Sequence, residues 1–201
     1  MSLHPLLYAL IAYIGWGSGD IFGVFASRKL GSESTALWIF LVSLIGMSCY
    51  LPFSYQQLSL MTPWLMLQLA LLGLLFTSAN VAIYEALVTS QASLAGTIVG
   101  SYSVFVVLFS FLMYGTAISA AQLFFIMITF AGLVIATLNF QDLRNSSLLT
   151  DRGVWIAIYA AISAGLFFTF SQPVVTVVGS FWPIYISMWF FPARDLGVYQ
   201  S

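Results

Sequence analysis

Six long apolar runs, separated only by short polar breaks, limit this chain to very few solvents and folds. A helix needs about 20 apolar residues to cross a bilayer, and breaks fall where polar or turn-forming residues gather. On that rule spans are expected at residues 6–26, 35–51, 64–87, 93–114, 120–138 and 153–170. The breaks read RKLGSES, YQQLSLMTP, VTSQAS, GTAIS and the long polar stretch NFQDLRNSSLLTDR. After Gln172-Pro173 the chain is apolar again to Phe191, and a seventh helix is expected to begin near Trp182. Charged residues are only 5% of the 201, against roughly 25% in a soluble domain. Eleven charges cannot keep such a chain in water, so lipid must be its solvent over most of its surface.

Within the first run, YIGWGSGDIFGVFAS places Asp20 among apolar and small residues. Gly15, Gly19, Gly23 and Ser27 recur every fourth position and form one smooth ridge on a helix. Tyr13, Trp16 and Asp20 follow one another on the neighbouring stripe. Such a ridge lets another helix come close where water gives no hydrophobic push. A carboxylate at that depth is costly and is expected to face a protein interior or a wet cavity. Asp20 is therefore the foremost candidate for binding a solute or a proton, with Tyr13 and Trp16 as walls. A carboxylate reaching water near Arg28-Lys29 is the plainer reading of the same residue.

Gly73, Thr77, Asn80 and Tyr84 share a face of the third span, with Glu85 beside them near its end. Asn80 and Tyr84 are candidate solute contacts or interhelical hydrogen bonds, and Glu85 is a site candidate that also reads as a surface group. The fourth span carries Ser93, Thr97 and Ser101 on one line and Gly96 and Gly100 on another. Ser101 joins the candidate site, and Gly96 and Gly100 join the expected packing residues. No His/Cys cluster for a metal, no phosphate-binding Gly-rich loop with lysine, and no membrane-embedded histidine to activate Ser101 or Ser103 is present in the sequence. No catalytic residue, metal or cofactor is expected. His4, the one histidine, reads as solvated, and the single cysteine, Cys49, excludes an internal disulfide. Net charge is −1 without a basic cluster, so nucleic acid is no partner.

An offset of 148 aligns Ile11-Ala12 with Tyr159-Ala160, Gly17 with Gly165, and Gly31-Ser32 with Gly179-Ser180. The expected fold is an all-α polytopic transmembrane bundle: a five-helix repeat over residues 3–140, a polar connection over 141–152, and the start of a second repeat over 153–201. Halves with an odd number of spans are inverted relative to one another. On this register the second copy lacks most of its helices, and the chain looks like a truncated transporter.

Three segments carry a family resemblance. GWGSGDIFGVFASRKLG resembles the first helix of EamA-type transporters of the drug/metabolite transporter superfamily. IYEALVTSQASLAGTI resembles that family's passage from third to fourth helix. FLMYGTAISAAQLFFIMITFAGLVIATL resembles its fourth-to-fifth stretch, with Gly115, Ser119, Gln122 and Gly132 at matching positions. The family's usual Gly-Glu pair is absent, since Thr116 follows Gly115. The resemblance implies a carrier of small metabolites, often an exporter, with ten spans in two inverted halves around a cavity. This chain would then need a second chain to complete the bundle.

The expected partners are the lipid bilayer, of a plasma membrane, and a small solute, with proton coupling at Asp20. Arg28, Lys29, Arg144 and Arg152 fall on one side of alternating spans, which places the N-terminus outside by the positive-inside rule. The family resemblance implies a cytoplasmic N-terminus, and the two indications disagree. The expected mechanism is alternating access around a cavity between the first, third, fourth and sixth spans. A non-transporting scaffold or inactive remnant, in which the glycine ridges only pair helices, is the rival reading.

Overall fold

The computed structural model describes residues 4–137 and 151–190. Among these residues the fold is all helical: α1 His4–Leu30, α2 Ser32–Ser48, α3 Leu51–Ser54 with a 3₁₀ turn Tyr55–Leu60, α4 Pro63–Thr89, α5 Ala92–Gly100, α6 Tyr102–Tyr114, α7 Ala120–Thr137, α8 Arg152–Val178 and α9 Phe181–Ser187. Three described stretches are long and apolar enough to cross a bilayer: Pro63–Thr89, Ala92–Tyr114 and Arg152–Val178. Ser32–Ser48 with Leu51–Leu60 makes a fourth, bent by 64°. Most of the expected polar connection lies outside the described residues.

Local chemistry sets the ends. Thr62 caps α4, its side chain accepting from Leu65 N–H at 3.2 Å, and Pro63 occupies the first turn, where no intrahelical donor is needed. Ser119 and Gln122 form a reciprocal capping box at the start of α7 (3.0 and 3.2 Å). Gly115 closes α6 in the left-handed region at φ 61°. Gly31 (φ 86°, ψ 162°) and Gly179 (φ 77°, ψ 169°) follow α1 and α8 in a conformation open essentially only to glycine. Thus α8 ends 148 residues after α1 does, and both helices end on a glycine of the same shape.

The bundle is organised around α4, which packs against α1, α2, α5, α8 and α9. One buried cluster joins Leu65, Leu69 and Leu72 of α4 to Phe167, Val174 and Val178 of α8 and to Trp182 and Tyr185 of α9. A second, richer in alanine, gathers Ala36, Tyr84, Ala86, Leu87, Ala95 and Ala157. The first helix, which the sequence marks as the likeliest pillar by its glycines, is peripheral. Its C-terminal half meets the bundle at Gly23 and Ser27, both buried. A Cβ added at Gly15 or Gly19 would meet open space among the described residues.

One expected boundary is corrected. The sixth span was expected to end at residue 170, before Gln172-Pro173, but α8 runs unbroken to Val178. Proline removes the donor that would have bonded the carbonyl four residues back, that of Thr169. The Tyr114 hydroxyl donates to that carbonyl from α6 at 3.4 Å, so a neighbouring helix re-satisfies the freed group. The fourth span, expected at 93–114, is one stretch of spanning length, Ala92–Tyr114, with a turn at Ser101 between α5 and α6. There the Ser101 hydroxyl donates to the Ile98 carbonyl at 2.6 Å, competing with the helical ladder.

Candidate functional site

The approach of α1 to α4 rests on one missing methyl group. A Cβ on Gly23 would lie 2.7 Å from Tyr84 Cε1, so only glycine lets the buried tyrosine ring lie against the α1 backbone. Asp20 stands about one turn before Gly23 on the same helix. Tyr102 opens α6 and stacks on Phe168 of α8, with ring centroids 5.3 Å apart. Gly165 of α8 seats α6, since a Cβ there would meet Phe105 Cβ at 2.6 Å. Close contacts thus join α1 to α4 at Gly23 and Tyr84, and α6 to α8 at Tyr102, Phe168 and Gly165.

The expected enclosure of Asp20 is not seen in the described bundle. Asp20 is exposed, as are Ser18 and Ile21 beside it, because α1 touches its neighbours only further along. Tyr102 was not singled out from the sequence. Its available signal was modest: a phenol immediately after a Gly-Ser pair that interrupts an otherwise apolar span.

The remaining candidates divide between structural ties and a second locus. Asn80 Nδ2 donates to the Phe76 carbonyl of its own helix at 2.9 Å. Thr77, on the same stripe, donates at 2.6 Å to the Phe190 carbonyl and so holds the end of the α9 segment. Phe190 packs into the notch left by Gly73. Adjacent helical residues diverge by about 100°, so Glu85 faces away from its neighbour Tyr84. It accepts from the Ser32 hydroxyl in the first turn of α2 at 2.6 Å. The cap residue of α2, Gly31, offers no side chain, and a carboxylate from α4 suits the positive end of that helix. Glu85 also lines an open groove of about 490 Å³ between α4 and α8, walled by Leu74, Val81, Ile156, Tyr159 and Phe190.

A Cβ at Gly96 would meet open space, and Gly100 closes α5 at the bend. The side chains of Tyr13 and Trp16 lie outside the described residues. Among the described residues no group of three or more His, Cys, Asp or Glu could hold a metal ion.

Apolar helices of spanning length, small-residue contacts between them and an acid inside a long helix define an integral, multi-pass membrane protein. No curated protein and no solved structure matches the chain. Residues 4–138 match the EamA-like transporter family, and the chain belongs to that family, within the drug/metabolite transporter superfamily.

Proposed function

We propose that the protein moves a small metabolite or drug-like solute across the plasma membrane by alternating access. The observation that carries this reading is the match of residues 4–138 to a family of transporters, with Asp20 one turn before the Gly23–Tyr84 contact that joins α1 to α4. Asp20 holds a proton or a cationic group of the solute. Tyr84 and Tyr102 flank it, and Asn80 lies one turn from Tyr84 to orient the solute. Tyr13 and Trp16, on the Asp20 stripe, form a wall, and Ser101 contributes at the α5–α6 bend. Gly23 sets the spacing of the first and third spans, while Gly15, Gly19, Gly96 and Gly100 give smooth surfaces for helices that move past one another.

In this reading the five-helix unit over 3–140 is one half of a ten-span carrier. The segment from 153 opens the second half, across the connection at 141–152, and a second chain or further spans complete the cavity. The exposed position of Asp20 fits a carboxylate whose covering helices come from that other half. The same exposure is what favours the rival, a non-transporting scaffold.

Proteoliposomes containing the complete carrier and a trapped pH indicator separate the two. A panel of small amines and amino acids should drive a proton flux with wild-type protein, and Asp20→Asn should abolish it or leave solute movement without proton movement. Unchanged flux with Asp20→Asn removes the residue from the mechanism. No flux with any solute, from wild-type protein that is folded, favours the scaffold.

A further inference from the structure

The groove between α4 and α8 has a polarity that neither the transport reading nor the family match uses. Its α4 wall is a single helical face, Leu74, Thr77, Ser78, Val81, Ala82 and Glu85, about 16 Å long. The hydroxyls on that wall are engaged: Thr77 donates to the Phe190 carbonyl and Ser78 to the Leu75 carbonyl at 2.9 Å. Glu85 forms no ion pair among the described residues, and Ser32 takes only its Oε2 atom. Oε1 is left for a ligand. The acid lies about one turn from the end of α4, where Ser90 and Asp151 mark the polar edge of the bundle. The opposite end is closed by Leu74 and the Phe190 ring.

From this arrangement we infer that the groove binds a cationic amphiphile, with a protonated amine at Glu85 and a hydrocarbon tail laid along α4 towards Phe190. Charge fixes the head: a carboxylate with no ion pair among the described residues, at the rim of an open apolar groove, selects an ammonium group over a neutral or anionic one. The apolar walls fix the tail, and the open side admits the ligand laterally from the bilayer. The site is separate from Asp20 and stands whether or not Asp20 carries transport.

The test is saturable binding of tritiated dodecylamine to the detergent-solubilised full-length protein, with dodecanol as the uncharged competitor of equal length. Dodecylamine should bind saturably, dodecanol should compete at least tenfold more weakly, and Glu85→Gln should weaken dodecylamine roughly tenfold or more. Glutamine still accepts from Ser32, so this variant removes the charge and keeps the tie between helices. Ser32→Ala keeps the charge and removes the tie, and it should retain binding. Equal competition by dodecanol, wild-type affinity in Glu85→Gln, or equal losses in Glu85→Gln and Ser32→Ala would each overturn the assignment. So would the absence of saturable binding, the result expected if another helix fills the groove.

Discussion

The contact between Gly23 and Tyr84 gives the sharpest test of the packing. In an exposed helix, glycine to alanine gains about 1 kcal/mol of helix propensity. At Gly19 the new methyl group meets nothing within 4 Å, so Gly19→Ala should be neutral or stabilising. At Gly23 the same methyl would sit 2.7 Å from Tyr84 Cε1, and the ring cannot swing aside because Tyr84 is 6% exposed. Overpacking of this kind costs about 1–3 kcal/mol. The propensity term is common to both substitutions, so the difference between Gly23→Ala and Gly19→Ala isolates the steric one. Reversible unfolding of the detergent-solubilised protein should place Gly23→Ala below Gly19→Ala by about 1–3 kcal/mol. Truncating the ring should erase the gap: Gly23→Ala added to Tyr84→Ala should cost nothing further. If Gly23→Ala and Gly19→Ala unfold alike, α1 does not lie against Tyr84, and the proposed placement of Asp20 beside the two phenols is lost.

Two further substitutions probe the helix ends and the proline. Gly31→Ala and Gly179→Ala each force a side chain into a backbone region reserved for glycine, and each should cost about 1–3 kcal/mol in the same unfolding assay, with neighbouring Ser180→Ala nearly silent. Tyr114→Phe removes the donor to the Thr169 carbonyl and should cost about 0.5–1.5 kcal/mol; restoring an N–H with Pro173→Ala should make the tyrosine dispensable, and a full loss in the double variant would show that the hydroxyl acts elsewhere.

The parts of the fold written in local chemistry were legible. Apolar run lengths located α1, α2, α4 and α7 to within a few residues, and the capping pair Ser119 and Gln122 marks its turn in the sequence itself. What failed was decided by distant residues. Pro173 reads as a stop because proline usually is one, and nothing near it announces that Tyr114, on another helix, will replace the missing donor. The glycine ridge of α1 reads as a buried seam, since spacing cannot say which half of a ridge finds a partner. Tyr84 and Glu85 sit side by side in sequence yet serve opposite faces. Only the placement of α1 and α2 around α4 reveals that one meets Gly23 and the other Ser32.

The 148-residue offset carries one consequence for the site. It aligns the C-terminal ends of α1 and α8, and it places Phe168 at the position equivalent to Asp20. Phe168 stacks on the ring of Tyr102, the phenol that the proposed site sets beside Asp20. In the proposed site the two corresponding positions face a single phenol, one with an apolar ring and one with a charge. If the helices descend from one unit, the charge is what distinguishes them, because the terminal glycine is common to both. Phe168→Asp, alone and with Asp20→Phe, tests whether Tyr102 treats the positions as interchangeable. Recovery of solute-driven proton flux in the exchanged double variant, after its loss in Asp20→Phe, would assign the chemistry to the position facing Tyr102. Failure of a folded double variant to recover would tie the function to α1 itself.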